Sequence, residues 1–247
     1  MSRAWSVHLA SAAGRHHLEA GTPCQDAAAA LAWPGGFAAA VSDGAGSAPR
    51  SEAGARTIVD QVVALCAAQA GQAGFSWSDD LPRIVEQARA RLLEQARSQG
   101  HELRDYAATL LACVVDGSRG CFFHIGDGAG VHCSADGATV VSAPENGEFA
   151  DETYFITQED WREHLRLMVI EGLGDSSLVG LMSDGAMPFV LDRSRRAFFP
   201  PFIEPVRRHL AGRSTVEGSA ALLGVLQDPR TLDITSDDKT LVLAMRA

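Results

Sequence analysis

Five short acidic turns in a fixed order constrain this fold more than any other feature of the sequence: QDA around Asp26, SDGAG around Asp43, GDG around Asp127, SDG around Asp184 and SDDKT around Asp238. Three of them follow apolar runs that read as strands: FAAAV before Ser42 and Asp43, CFFHI before Gly126 and Asp127, and LVGLM before Ser183 and Asp184. A strand delivers each carboxylate to a sheet edge, and the glycine behind it lets the backbone turn sharply and approach a ligand. Several such edges converging would form a cage of hard oxygen donors, which suits Mg²⁺ or Mn²⁺. Taken singly, each Asp-Gly pair is also an ordinary turn signal. Their number and order argue for a site.

A chain of 247 residues that is 46% apolar can bury a sizeable core, and β-rich folds reach this length as one domain, expected here over residues 1–247. The formal charge of −10 repels a phosphate backbone and argues against a nucleic-acid partner. Lys239 is the one lysine among 21 basic residues, a usage that, with abundant Ala and Gly, points to a GC-rich bacterial genome. The five cysteines, Cys24, Cys66, Cys113, Cys121 and Cys133, show no zinc spacing and their odd number closes no disulfide framework, so a reducing cytoplasm fits. Neither a signal peptide nor an apolar run of membrane-spanning length is present, and no membrane partner is expected.

Periodicity alternates between strand and helix. Residues 4–10, 26–33 and 36–42 read as strands, the last two joined at Pro34-Gly35-Gly36. Helices are expected over about 51–69 and 80–98, each with one apolar stripe to lay on a sheet. Strands follow at 107–115, 120–126 and 129–134, and such neighbours usually pair antiparallel. The polar stretch Pro144 to Asp160 reads as a mobile loop, before strands at 165–170 and 178–182. A helix near 202–211, another capped by Ser214 or Thr215, and a final strand at 241–245 complete the chain. Strands, helix pair, strands and helix pair predict an α+β fold: a β-sandwich of two mainly antiparallel sheets covered by helices on both faces.

At the level of motifs, GTPCQDA (21–27), VSDGAGSAPRSEAGA (41–55), AATLLACVV with FFHIGDG (107–128), LMSDG (181–185) and SDDKTLVLA (236–244) together resemble the metal-dependent protein serine/threonine phosphatases of type 2C, especially their compact bacterial branch. The resemblance implies a four-layer α-β-β-α sandwich and a phosphatase with two core Mn²⁺ or Mg²⁺ ions and a weaker third. It implies a phosphorylated protein as substrate, and hence a role opposing a serine/threonine protein kinase. By the same resemblance Asp43 bridges the metals, the Gly44 carbonyl binds one, Asp184 and Asp238 hold the other, Asp127 serves a third, weaker ion, and Asp26 orients water. Nothing in the sequence specifies an oligomeric state.

This chemistry answers what a phosphate monoester demands: a nucleophile at neutral pH and neutralisation of the phosphoryl oxygens. Two divalent ions about 4 Å apart supply both. The chain also departs from the family pattern. Gly21 stands where many relatives carry a phosphate-gripping arginine, Gln25 replaces a glutamate ligand, and Ala45 stands where eukaryotic relatives have an acid histidine. His17, nine residues before Asp26 and with a side chain suited to proton transfer near neutrality, is the candidate acid, with a surface-loop role as the alternative. His124, inside CFFHI, reads as a sheet residue, and Arg50 and Arg56 as a solvated helix face. Gly126 to Gly130 is no dinucleotide fingerprint, because VHC follows it rather than a helix.

Two function classes stand: the enzyme, and a pseudophosphatase module that binds a phosphorylated partner without turnover. Retention of mutually repelling carboxylates at Asp43, Asp184 and Asp238 favours the enzyme. A small-molecule phosphomonoesterase ranks third.

Overall fold

The computed structural model describes residues 4–70, 72, 74–145 and 153–246. In chain order the elements are β1 (Trp5–Ala12), α1 (Arg15–Ala20), β2 (Ala27–Trp33), β3 (Gly36–Ser42), α2 (Ser51–Gln69), α3 (Trp77–Ser98), β4 (Leu110–Asp116), β5 (Arg119–Ile125) and β6 (Ala129–Cys133). There follow β7 (Thr139–Ser142), β8 (Arg166–Ile170), β9 (Leu178–Met182), α4 (Met187–Val190), α5 (Pro200–Leu210), α6 (Thr215–Leu226), α7 (Pro229–Ile234) and β10 (Lys239–Arg246).

The strands form two five-stranded antiparallel sheets, ordered β1-β10-β9-β6-β7 and β2-β3-β4-β5-β8. Alternation along the central strands sorts their side chains into three cores. On β4, Leu111, Cys113 and Val115 pack between the sheets with Val41, Phe122, Leu181 and Val242. Leu110, Ala112 and Val114 face outward against Ile58, Val62, Ile84 and Leu92 of α2 and α3. On β10, Leu241, Leu243 and Met245 face the other way, against Ile203, Val206, Leu210, Leu222 and Leu226 of α5 and α6. Strands buried on both faces explain why FAAAV, LLACVV and LVGLM read as unbroken apolar runs. The four-layer sandwich expected from the sequence is therefore the observed one. No helix among the described residues is long and apolar enough to cross a membrane.

Four sequence expectations meet a different outcome. Strands β5 and β6 are consecutive but do not pair; β6 lies between β9 and β7 in the other sheet. The chain crosses there because Gly126 takes φ +119°, and because a Cβ on Gly128 would lie 2.7 Å from the Met182 carbonyl oxygen. The expected loop at 144–160 falls partly on residues 146–152, outside the described residues. Its described end is anchored: Ile156 is fully buried and its N–H donates to Ala108 O, while Arg89 grips the carbonyls of Ile156, Thr157 and Gln158. Helix α3 starts at Trp77, three residues early, because the Ser76 backbone N–H and hydroxyl donate to Asp80 and Asp79 and hold its first turn. Helices α1, α4 and α7 and strand β7 were not anticipated; α1 is six residues long with no buried residue, so it carries no apolar stripe.

Candidate active site

The acidic turns meet at one end of the sandwich, where both sheets stop. Asp43 leaves β3 held on both backbone atoms: its N–H donates to Thr109 Oγ1 at 2.9 Å, and its carbonyl accepts from Thr109 N at 2.9 Å. Gly44 follows because no side chain fits, since a Cβ would come within 2.7 Å of Gln25 O and 2.8 Å of Ser51. That contact seats SDGAG against the QDA turn. Asp127 sits in the crossing between the sheets, where Thr153 Oγ1 donates to its Oδ2 at 2.5 Å. Asp184 opens a 3₁₀ turn after β9, and Gly185 lets the SDDKT backbone approach: a Cβ there would be 2.1 Å from Asp238 O. Asp26 is buried, its Oδ2 accepting from Ser183 Oγ at 2.6 Å, while the same Ser183 oxygen accepts from Thr240 N.

Asp43, Gly44, Asp127, Asp184 and Gly185 line two adjoining clefts. The larger, about 580 Å³, is walled by His16, His17, Gln25, Asp43, Gly44, Thr109, Asp127, Asp237 and Asp238, among others, with no arginine or lysine among the described residues. The smaller, about 310 Å³, shares Asp127 and Asp237 and adds Asp184, Gly185 and Arg195. Arg50 and Arg56 are exposed and line neither.

The electrostatics are those of a crowd of carboxylates, with Arg195 in the wall of the smaller cleft and no basic side chain but histidine among the described residues of the larger. Burial pushes Asp43 well above the usual carboxylate range, and repulsion from Asp26, Asp184, Asp127 and Asp237 adds to it. Burial, together with the Asp238 and Asp184 charges, raises Asp26 to about 7 against the hydrogen bonds from Ser183 and Thr240. Burial, then Asp237 and Asp127, raises Asp184 to about 6. One oxygen on each of Asp26, Asp127 and Asp184 is buried without a hydrogen-bond donor. Buried carboxylate oxygens lacking donors carry a large desolvation cost, which a cation removes. The donor set therefore fits a hard divalent ion. Among the described residues no three His, Cys, Asp or Glu side chains are arranged to hold one ion on their own. A Mg²⁺-like ion, which takes one or two carboxylates and completes its sphere with water, does not need such a trio.

The SDDKT turn divides its two carboxylates. Asp238, expected from the sequence to face the metals, is 3% exposed and engaged elsewhere. Its Oδ1 accepts from Gly14 N at 2.7 Å and meets His17 Nδ1 at 2.8 Å, and its Oδ2 accepts from Gln25 N at 2.6 Å. Asp237 instead is the residue felt by Asp43 and Asp184. Asp237 was missed, although the doublet of adjacent carboxylates was a visible signal. Thr109 and Ser183, which fix Asp43 and Asp26, lie inside the matching stretches, but nothing in their spacing pointed to those contacts. His17 lies on α1, which Gly21 stops with φ +66° while Thr22 N donates to His17 O, a helix-ending arrangement that favours glycine. His124 is buried in β5, its Nδ1 against Ser142 Oγ at 3.0 Å and Arg166 at 3.1 Å. Burial and the Arg166 charge hold its pKa well below the usual histidine range, so it is a neutral sheet residue.

Comparison with known proteins places the chain in a family and matches its fold. The chain is 31% identical over 254 residues to serine/threonine-protein phosphatase 3 of Escherichia coli K12, covering 98% of this chain and 99% of that protein. Its fold matches the catalytic domain of the serine/threonine phosphatase PstP in complex with two manganese ions, with a TM-score of 0.65, 18% identity and 98% of each chain covered. It also matches RsbX in complex with magnesium, with a TM-score of 0.60, 16% identity, and coverage of 100% of this chain and 98% of that one. The family model for protein phosphatase 2C matches residues 13–227, and the chain belongs to that family.

Proposed function

We propose that this chain is a metal-dependent protein phosphatase that hydrolyses phosphoserine and phosphothreonine in a protein substrate, and so opposes a serine/threonine kinase. One observation carries the reading: carboxylates from both sheets converge on two adjoining clefts, and Asp26, Asp127 and Asp184 each keep a buried oxygen with no donor among the described residues. Asp43, the Gly44 carbonyl, Asp184 and Asp237 would hold two core ions, with Asp237 in the place the sequence had given to Asp238, and Asp127 would serve a weaker third. Mg²⁺ or Mn²⁺ bound there would lower the pKa of water and offset charge on the phosphoryl oxygens.

The protein's own groups do the rest. Asp26, buried next to Asp43 and fixed by Ser183, would orient water at the site. Thr109 locks the backbone of Asp43 so that its carboxylate stays aimed. His17 stands on the cleft wall, where it can protonate the departing oxygen. Position 21 is a glycine with left-handed backbone at the end of α1, which favours a helix-ending role there over a grip on phosphate. The relative from Escherichia coli is named for the same activity. We assign the work to a single catalytic unit acting in the cytoplasm.

The test is phosphate release from p-nitrophenyl phosphate and a phosphothreonine peptide with Mn²⁺, with Mg²⁺ and after chelation. Turnover abolished by chelator and restored by Mn²⁺ supports the enzyme. Phosphopeptide binding without turnover under every condition refutes it and leaves the non-hydrolysing module.

A further inference from the structure

The second carboxylate of the SDDKT doublet has no part in the ion site just described, yet it is among the most firmly held side chains of the molecule. A carboxylate offers about four acceptor positions. Three on Asp238 are filled, by Gly14 N, Gln25 N and His17 Nδ1, at 2.6 to 2.8 Å. Two of those donors belong to the start of α1, whose N-cap is Gly14 and therefore has no side chain to cap its own helix. Asp238 supplies that cap from 224 residues away. Gly14 is required for it: a Cβ there would lie 2.3 Å from the Asp237 carbonyl carbon.

The same carboxylate therefore places the helix that carries His17 and orients its ring. A carboxylate on Nδ1 selects the tautomer that donates from that nitrogen, and leaves Nε2 as the nitrogen free to act. The His17 side chain is 22% exposed and lines the larger cleft beside Asp43, Asp127 and Asp237, whereas its partner is 3% exposed. The chain bends at Ser236 and Asp237, and the doublet sends Asp237 toward Asp43 and Asp184, and Asp238 toward α1.

We infer that Asp238 is a positioning residue for proton transfer: it holds His17 so that Nε2 serves the departing serine or threonine oxygen. The inference rests on the phosphatase reading above. Water adds to phosphorus, the bond from phosphorus to the side-chain oxygen breaks, and its electron pair stays on that oxygen. His17 enters the step as the imidazolium, with Nδ1–H on Asp238. The departing oxygen takes its Nε2 proton, which leaves the neutral ring with Nε2 free, and the proton lost by the attacking water then returns to Nε2. The products are inorganic phosphate and the free hydroxyl, and the Nδ1 proton stays on the Asp238 hydrogen bond throughout. This arrangement follows the general logic of an imidazole oriented by a carboxylate.

The experiment compares His17→Gln, Asp238→Asn and the double variant on a phosphothreonine peptide and on p-nitrophenyl phosphate, with Mn²⁺ titrated for each. An alkoxide needs a proton and nitrophenolate hardly does. Each single variant should lower kcat on the peptide by about 10- to 100-fold and on p-nitrophenyl phosphate by less than about threefold, within the usual range for proton-transfer groups. The double variant should be no worse than His17→Gln, because the two groups act as one unit. Half-saturating Mn²⁺ should stay within about twofold of wild type, since neither side chain is a ligand. Imidazole in the buffer should restore peptide turnover to His17→Ala and not to His17→Ala with Asp238→Asn. Equal losses on both substrates, additive losses, or a Mn²⁺ requirement raised tenfold or more by Asp238→Asn would each overturn the inference. If Asp238→Asn fails to fold, His17→Gln and imidazole rescue of His17→Ala decide alone, and absence of both the substrate split and the rescue overturns it. A wild-type protein without turnover would instead defeat the phosphatase reading itself.

Discussion

Replacing Asp184 with Asn should stabilise the metal-free protein and abolish its turnover, and the two effects have one cause. Burial and the charges of Asp237 and Asp127 raise Asp184 from 3.8 to about 6. At about 1.4 kcal/mol per unit, roughly 3 kcal/mol opposes the ionised form. An amide still loses hydration in that site, so the expected gain is smaller, about 1 to 2 kcal/mol. For a chain of this size that is about 3 to 8 °C in melting temperature. The sign follows from a carboxyl raised in the folded state. Its neutral form contributes stability in full below 3.8, and that contribution is lost as pH rises through about 6. Chelator-treated wild type and variant should therefore melt together at pH 4 and separate above pH 7. Saturating Mn²⁺ should then reverse the order, raising wild type by about 3 kcal/mol at a hundred times its Kd and the variant by much less. Differential scanning fluorimetry across pH, with and without Mn²⁺, makes the measurement. Coincident melting at pH 8 without metal, or wild-type turnover in the variant at saturating Mn²⁺, would refute the argument.

Three further outcomes are expected. Asp127→Ala should lower kcat by at least tenfold while calorimetry still finds the tight Mn²⁺ sites; loss of those sites would make Asp127 a core ligand. Gly185→Ala puts a Cβ 2.1 Å from Asp238 O, so it should cost about 1 to 3 kcal/mol in urea unfolding, as an overpacked contact does; an unchanged midpoint would show that the turn relaxes freely. Burial and the nearby Asp26 and Asp238 carboxylates push the Cys24 thiol up. Although only half-buried, Cys24 should then react with iodoacetamide at pH 8 more slowly than a model thiol, and mass spectrometry showing fast labelling would contradict that environment.

The layers were legible because buried strands announce themselves. FAAAV, LLACVV and LVGLM could only be central strands, and α2 and α3 carried clear stripes. What stayed hidden depends on contacts that sequence spacing does not encode. Nothing local distinguishes the turn at Asp116 and Gly117, which joins paired strands, from that at Asp127 and Gly128, which crosses between sheets. The crossing shows only in what the glycines would strike. Likewise the order of acidic turns located the site, but not which carboxylate of the last turn enters it. That choice rests on Gly14, Gln25 and His17, residues more than two hundred positions away that claim Asp238. Helix α1 was invisible because it is fixed by that contact and its glycine stop instead of a buried face.

The division of the proposed ligands between the sheets bears on how long the protein lasts. Asp43 hangs from one sheet, Asp184 and Asp237 from the other, and Asp127 from the span joining them, while the interior between is apolar. Separating the sheets is a natural first step in coming apart, and an ion held from both sides acts as a rivet across that plane. Loading would then slow the opening that exposes the chain to proteases, and both sheets would gain amide protection together. A cell starved of divalent metal would lose molecules of this protein as well as their activity, so that metal supply would be read out as abundance.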